Sequence, residues 1–185
     1  SIKNDKTYKK TIDDIHTLAA LNHIVTVGIK PLCPNINFGY IQKSNEIDLS
    51  EDIEAYEVGK FVEKPDEKNA VSFLKNGYLW NCGIYGFKSI VFLELLKKHQ
   101  KKIYDLLIIH ENRDIKEIYD NLEPLSIDVG LAEKIDSLVV LQSNIIWQDL
   151  GEWNSVFEYF KSSSGNALKG DLFCDDVENS LIWNY

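Results

Sequence analysis

Apolar positions near the start of the chain keep one rhythm and then change to another. Tyr8, Ile12, Ile15 and Ala19 recur at spacings of four, three and four, which places them on one face of a helix from about Lys3 to Leu21, with no strand in front of it. His23 to Ile29 is instead rich in β-branched residues and stops at Pro31, so a buried strand follows the helix. Pro31 and Pro34 hold an extended loop ahead of a short strand, Phe38 to Ile41, and the polar stretch from Lys43 to Glu51 reads as a surface loop or hairpin. Tyr56 to Val62 reads as a strand ending at Glu63-Lys64-Pro65. Asp66 can then cap a helix that turns Ala70, Phe73 and Leu74 inward and stops at Gly77, where a left-handed backbone costs glycine little.

The second half continues the alternation. Tyr78 to Phe87 is apolar and aromatic, a strand, and Ser89 opens a helix with Ile90, Leu93 and Leu96 inward. One or two helices cover Ile103 to Leu122, a short helix runs near Val129 to Ile135, and a strand lies at Leu138 to Leu141. Trp153, Val156, Phe157 and Phe160 mark a last helix, and a final strand pair is expected within Gly170 to Asn184. Strands alternating with helices predict an α/β layered fold with a mixed, mostly parallel sheet, in one domain over residues 1–185.

Composition narrows the function classes. With 44% apolar and 26% charged residues the 185-residue chain can bury a core, which excludes disorder and coiled coil. Its apolar stretches are far shorter than the roughly 20 residues that a bilayer span needs, so no membrane role is expected. A formal charge of −9 with no local basic stripe repels polyphosphate backbones, so no nucleic-acid partner is expected either. Cys33, Cys82 and Cys174 lack Cys-x-x-Cys spacing and have no His at ligand spacing; free thiols in the reducing cytoplasm and no structural zinc are expected. The chain contains no Met and opens at Ser1, which reads as an excerpt of a longer protein.

Chemistry-bearing residues collect where strands end, the place where open α/β sheets bind ligands. Glu63 and Lys64, delivered by a strand and followed by Pro65, suit a sugar hydroxyl and a phosphate; residue types alone equally fit an exposed turn with a surface ion pair. In Trp80-Asn81-Cys82-Gly83 the carboxamide both donates and accepts, as a sugar hydroxyl does, though an Asn satisfying backbone groups at a strand bend fits too. Cys82 has no indicated partner to lower its pKa and reads as a packed thiol. In Trp147-Gln148-Asp149-Leu150-Gly151-Glu152-Trp153, Asp149 can ligate Mg²⁺ or cap the helix. No Gly-rich phosphate loop occurs in the 185 residues.

In this order the motifs resemble the sugar-1-phosphate nucleotidyltransferase family, in its mannose-1-phosphate guanylyltransferase branch. The matching stretches are Val25 to Pro31, Phe38-Gly39-Tyr40-Ile41, Phe61 to Pro65, Trp80 to Gly83, Ser126-Ile127-Asp128 with Glu133-Lys134, Trp147 to Trp153, and Gly165-Asn166 with Gly170-Asp171 and Glu178-Asn179-Ser180. The resemblance implies a Rossmann-like, glycosyltransferase A-type nucleotidyltransferase domain. It implies guanylyl transfer from GTP to mannose 1-phosphate, giving GDP-mannose and pyrophosphate, with Mg²⁺ as cofactor. It casts Lys64 and Asp149 as catalytic and Asp149 as a metal ligand. Asn37, Gly39, Glu63, Lys64, Asn81 and Asp128 become substrate-binding residues, Asp128 in support of the site.

Family members also begin with a Gly-Gly-x-Gly-x-Arg-Leu loop and a metal-binding Asp that this chain does not contain. The expectation is therefore a sugar-phosphate half that is inactive alone, and a homodimer is allowed. Where the family reads Pro-Glu-Thr-Gly-Tyr-Gly-Tyr, this chain has Pro34-Asn35-Ile36-Asn37-Phe38-Gly39-Tyr40, and Asn37 is expected to take the left-handed backbone of the replaced glycine. Two alternatives stay open: transfer to another hexose 1-phosphate, and a non-catalytic sugar-phosphate-binding or subunit-contact module.

Overall fold

The computed structural model describes residues 2–3, 5–49, 52–108, 115–151 and 153–184. In chain order they form β1 (Ile2–Lys3), α1 (Asp5–Ala20), β2 (Ile24–Ile29), β3 (Tyr40–Glu46), β4 (Ala55–Val62), α2 (Glu67–Lys75), β5 (Leu79–Gly86) and α3 (Ser89–His99). There follow α4 (Lys101–Ile108), α5 (Ile115–Asp120), a π-helical turn (Asp128–Ala132), β6 (Leu138–Gln142), β7 (Ile146–Trp147), α6 (Trp153–Phe160), β8 (Ala167–Lys169) and β9 (Leu181–Trp183). Two compact units result: Lys6–Ile145, and Ser1–Asp5 together with Ile146–Tyr185.

In the larger unit the β-branched run at β2 is buried along its whole length. It seeds a closed sheet in the order β2-β5-β3-β4-β6. The sheet is mixed, as expected, but not mostly parallel. Only β2 and β6 run parallel, whereas β2–β5, β3–β4, β3–β5 and β4–β6 are antiparallel. The reason lies in the connections: no helix intervenes from β2 to β3 or from β3 to β4, and β3 inserts between the two strands that α2 joins. Ile24, Ile41, Phe61, Leu79, Leu138 and Val140 form the core with Ala132 and Ile135, each large side chain contributing roughly 1.5–3 kcal/mol by leaving water.

Local signals place α2 well. Asp66 Oδ1 accepts from the Asn69 N–H at 2.8 Å, and Gly77 takes a left-handed φ of +73°. Other faces are rotated from the expected ones. The buried stripe of α1 runs through Thr11, Ile15 and Leu18 while Tyr8 is exposed, because the Thr11 hydroxyl is satisfied by the Thr7 carbonyl and Ser143 and so can sit inside. Ile90, expected inward, is 59% exposed on α3. The polar stretch after Tyr40 extends β3 to Glu46: its outer half faces solvent, so no apolar alternation marked it. Residues 109–114, within the expected Ile103–Leu122 helices, and Glu152 lie outside the described residues.

In the smaller unit β1 pairs antiparallel with β7, so a short strand does precede the first helix; two residues are too few to show a period. β8 pairs in parallel with β9, and of the expected final pair only β9 falls within Gly170–Asn184. Among the described residues no helix is long and apolar enough to cross a membrane.

Candidate functional site

The site is built on an irregularity between β2 and β5. Gly28 stands opposite Asn81 and Thr26 opposite Tyr85, so four steps along β5 are matched to two along β2, and the bulged strand re-aims its side chains. Asn81 is 8% exposed, and its amide has a defined orientation. Oδ1 accepts from the Thr26 hydroxyl (2.8 Å) and the Gly83 N–H (3.2 Å), while Nδ2 donates to Asp128 Oδ1 (2.9 Å). A backbone N–H can only donate and a carboxylate only accept, so a flipped amide would lose both. The Tyr85 hydroxyl donates to the same Asp128 oxygen at 2.7 Å. Burial, and then the Asp128 carboxylate, hold the Tyr85 phenol well above its ordinary pKa, so it stays a donor.

The end of β4 supplies the second part. Gly39 accepts the Asn81 N–H through its carbonyl (2.8 Å), and a Cβ built on Gly39 would lie 2.5 Å from Glu63 Oε2 and 3.3 Å from Asn81 Cβ. A side chain at Gly39 would push the Glu63 carboxylate out of this position. Glu63 sits half-buried over Gly39, its N–H donating to Glu133 Oε1 at 3.0 Å. The Lys64 ammonium lies 3.6 Å from Glu63 Oε1 on an exposed side chain whose residue takes φ +47°. A non-glycine residue in that region is uncommon and stores backbone strain.

Other expected residues stand differently. Asn37 is not left-handed; its N–H donates to Asn35 Oδ1 at 2.8 Å, so a side-chain turn replaces the glycine conformation. Asn37 is exposed. Asp149 belongs to the smaller unit, where Oδ1 accepts from the Gly151 N–H at 2.9 Å. That turn lies ahead of α6. Among the described residues no three His, Cys, Asp or Glu gather as a metal site. Mg²⁺ commonly takes one or two protein carboxylates beside phosphates and water, and exposed Asp149 fits such a single ligand. Burial pushes the Cys82 thiol up to about 12, in keeping with a packed side chain. Thr26, Tyr85 and Glu133 were not singled out as site residues. Strand period does link Asn81 with Tyr85, but a tyrosine in an aromatic strand reads as core. The groove between α1 and the end of β5, of about 550 Å³, is mainly apolar, and Tyr85 is among the residues that line it.

Glu63 carries a testable charge signature. Burial first, then Asp128 and to a smaller degree Glu133, raise its carboxyl above the ordinary glutamate value, and Lys64 opposes them. The folded chain therefore keeps this proton to higher pH than the unfolded one. The resulting stability is full below the ordinary glutamate pKa and is lost as pH rises through the folded value. Glu63→Gln is neutral throughout, so thermal melts should show wild type losing stability relative to the variant as pH rises above the ordinary glutamate range. A difference independent of pH would remove Glu63 from this electrostatic cluster.

Known proteins were compared with this chain. The nucleotidyl transferase family model matches residues 2–164. A mannose-1-phosphate guanylyltransferase of Escherichia coli is 37% identical over 194 residues, which span 99% of this chain and 42% of that protein. The alginate biosynthesis protein AlgA of Pseudomonas putida is 33% identical over 98% of this chain and 39% of its own length. The chain thus spans about two fifths of these relatives. Among solved structures, one described as a mannose-1-phosphate geranyltransferase from Thermus thermophilus has a TM-score of 0.77 at 25% identity, covering 90% of this chain and 48% of that one. A mannose-6-phosphate isomerase structure from Helicobacter pylori has a TM-score of 0.69 at 28% identity, covering 80% and 60%.

Proposed function

Because this chain belongs to the nucleotidyl transferase family, we propose that it forms the sugar-phosphate-binding part of a mannose-1-phosphate guanylyltransferase. In that reaction an oxygen of the sugar phosphate attacks the α-phosphate of GTP and pyrophosphate leaves. The observation that carries the reading is the meeting of Glu63 and Asn81 at Gly39, with Asp128 bonded to Asn81 and the Lys64 ammonium beside Glu63. Carboxylates and an amide suit sugar hydroxyls, and an exposed ammonium suits a phosphate. Asp149 would hold Mg²⁺, which supplies charge neutralisation at the phosphates when bound. The side chains themselves have only to bind and orient, since in-line positioning and electrostatics dominate phosphoryl-type transfer. The names of the relatives, and the match of Trp80-Asn81-Cys82-Gly83 and Phe61 to Pro65 to the branch pattern, favour mannose.

Calorimetric titration of the chain with mannose 1-phosphate, glucose 1-phosphate and inorganic phosphate tests the reading. Saturable binding of a hexose 1-phosphate is expected, mannose first. Glu63→Gln and Asn81→Ala should each weaken it about tenfold and leave inorganic phosphate within about twofold, the size of one lost hydrogen bond to a desolvated group. Absence of saturable binding to every hexose phosphate would overturn the reading.

A further inference from the structure

Hydrogen-bond capacity around Asn81 is nearly all committed. A carboxamide can accept two bonds and donate two. Here Oδ1 accepts from Thr26 and the Gly83 N–H, and Nδ2 donates to Asp128, which leaves one N–H. Asp128 is similarly occupied: among the described residues every hydrogen bond to its carboxylate is made at Oδ1, from Asn81 and Tyr85. Its Oδ2 remains for a ligand. We propose that Tyr85 and Thr26 are positioning residues that lock Asn81 and Asp128 into a reader of one hydroxyl, which accepts from the remaining Asn81 N–H and donates to Asp128 Oδ2. This rests on the sugar-phosphate reading of the same site and adds to it a specificity rule.

The rule follows from the donors. An ether, ketone or fluorine at that ring position can accept from Asn81 but cannot donate to Asp128, and an ammonium can donate but cannot accept. Without Thr26 the Asn81 carbonyl loses its side-chain donor and keeps only the longer bond from the Gly83 N–H, so the amide is held less rigidly toward a ligand. Without the Tyr85 hydroxyl, Asp128 Oδ1 keeps a single donor and the carboxylate can rotate about its bond to Cβ. Tyr85 is well suited to the role: its side chain packs against the core of the closed sheet, its proton stays on the oxygen, and its hydroxyl donates to the Asp128 carboxylate. Thr26 is completely buried, which removes water as a competing donor.

The experiment measures the affinity of the 185-residue chain for mannose 1-phosphate, for its monofluoro-deoxy analogues at each ring hydroxyl, and for inorganic phosphate. Wild type, Tyr85→Phe, Thr26→Val and Thr26→Ser are compared. In wild type one ring position should lose about tenfold or more on fluorination. Tyr85→Phe and Thr26→Val should weaken mannose 1-phosphate by about threefold to tenfold and shrink the hydroxyl-to-fluorine ratio at that position toward one. Thr26→Ser, which keeps the hydroxyl, should retain the wild-type ratio, and inorganic phosphate should bind all four proteins equally. An unchanged ratio in Tyr85→Phe overturns the proposal even where Glu63→Gln has upheld the reading beneath it. Equal weakening of every ligand, inorganic phosphate included, overturns it in favour of a structural role. Wild type that binds no hexose phosphate overturns the reading itself and the proposal with it. If Thr26→Val does not fold, Tyr85→Phe, which removes one oxygen, decides alone.

Discussion

Incubated with GTP, mannose 1-phosphate and Mg²⁺, the 185-residue chain is expected to release no pyrophosphate above a protein-free control. Nucleotide triphosphates are commonly held by backbone N–H groups of a glycine-rich loop that leads into a helix, and no such glycine-rich loop occurs in these residues. Among the described residues no group of three His, Cys, Asp or Glu gathers to hold a metal, and the Lys64 ammonium beside Glu63 is exposed. A sugar-phosphate pocket without a nucleotide pocket can bind one substrate but cannot align two, and alignment is worth roughly 7–11 kcal/mol of barrier. A coupled pyrophosphate assay settles the matter. Release that depends on both substrates would place the nucleotide site inside this chain and refute the division of labour proposed for it.

The second large effect concerns Asp149. In a chimera that carries the Gly-rich loop segment of a family member ahead of Ile2, Asp149→Asn should lower Mg²⁺-dependent turnover about a hundredfold or more against the unmutated chimera. The substitution is chosen because it separates two roles. Asn keeps an oxygen that can accept from the Gly151 N–H, so the turn ahead of α6 survives, while the charge that would hold a cation is gone. An almost normal rate with an unchanged Mg²⁺ optimum would leave Asp149 as a turn residue and nothing more.

Much of the local architecture is legible along the chain because it arises from neighbours. The Asp66 cap, the Gly77 stop and the strands at β2, β4, β5 and β6 each follow from residues within a few positions of one another. The strand-end residues Glu63, Lys64 and Asn81 and the turn residue Asp149 could be named from position and chemistry, and Asn37, Gly39 and Asp128 from family resemblance alone. The same local logic misplaced the faces of α1 and α3. It counted apolar residues, whereas burial of Thr11 depends on a partner at Ser143, far along the chain.

The remaining features come from pairing between distant segments, which no local period encodes. Sheet direction depended on β3 entering between β4 and β5, so four antiparallel pairings replaced the parallel sheet expected from strands alternating with helices. Asp128 enters the site from a π-helical turn 47 residues beyond Asn81, and Thr26 reaches Asn81 across 55. Tyr85 turns from a core aromatic into a site donor through the β2–β5 bulge, a property of register between two strands rather than of either one. Residue order thus carries the inventory of donors and acceptors, because those are fixed by covalent chemistry. Which of them are spent on one another, and which stay open to a ligand, is settled only when buried polar groups must find partners in the folded chain.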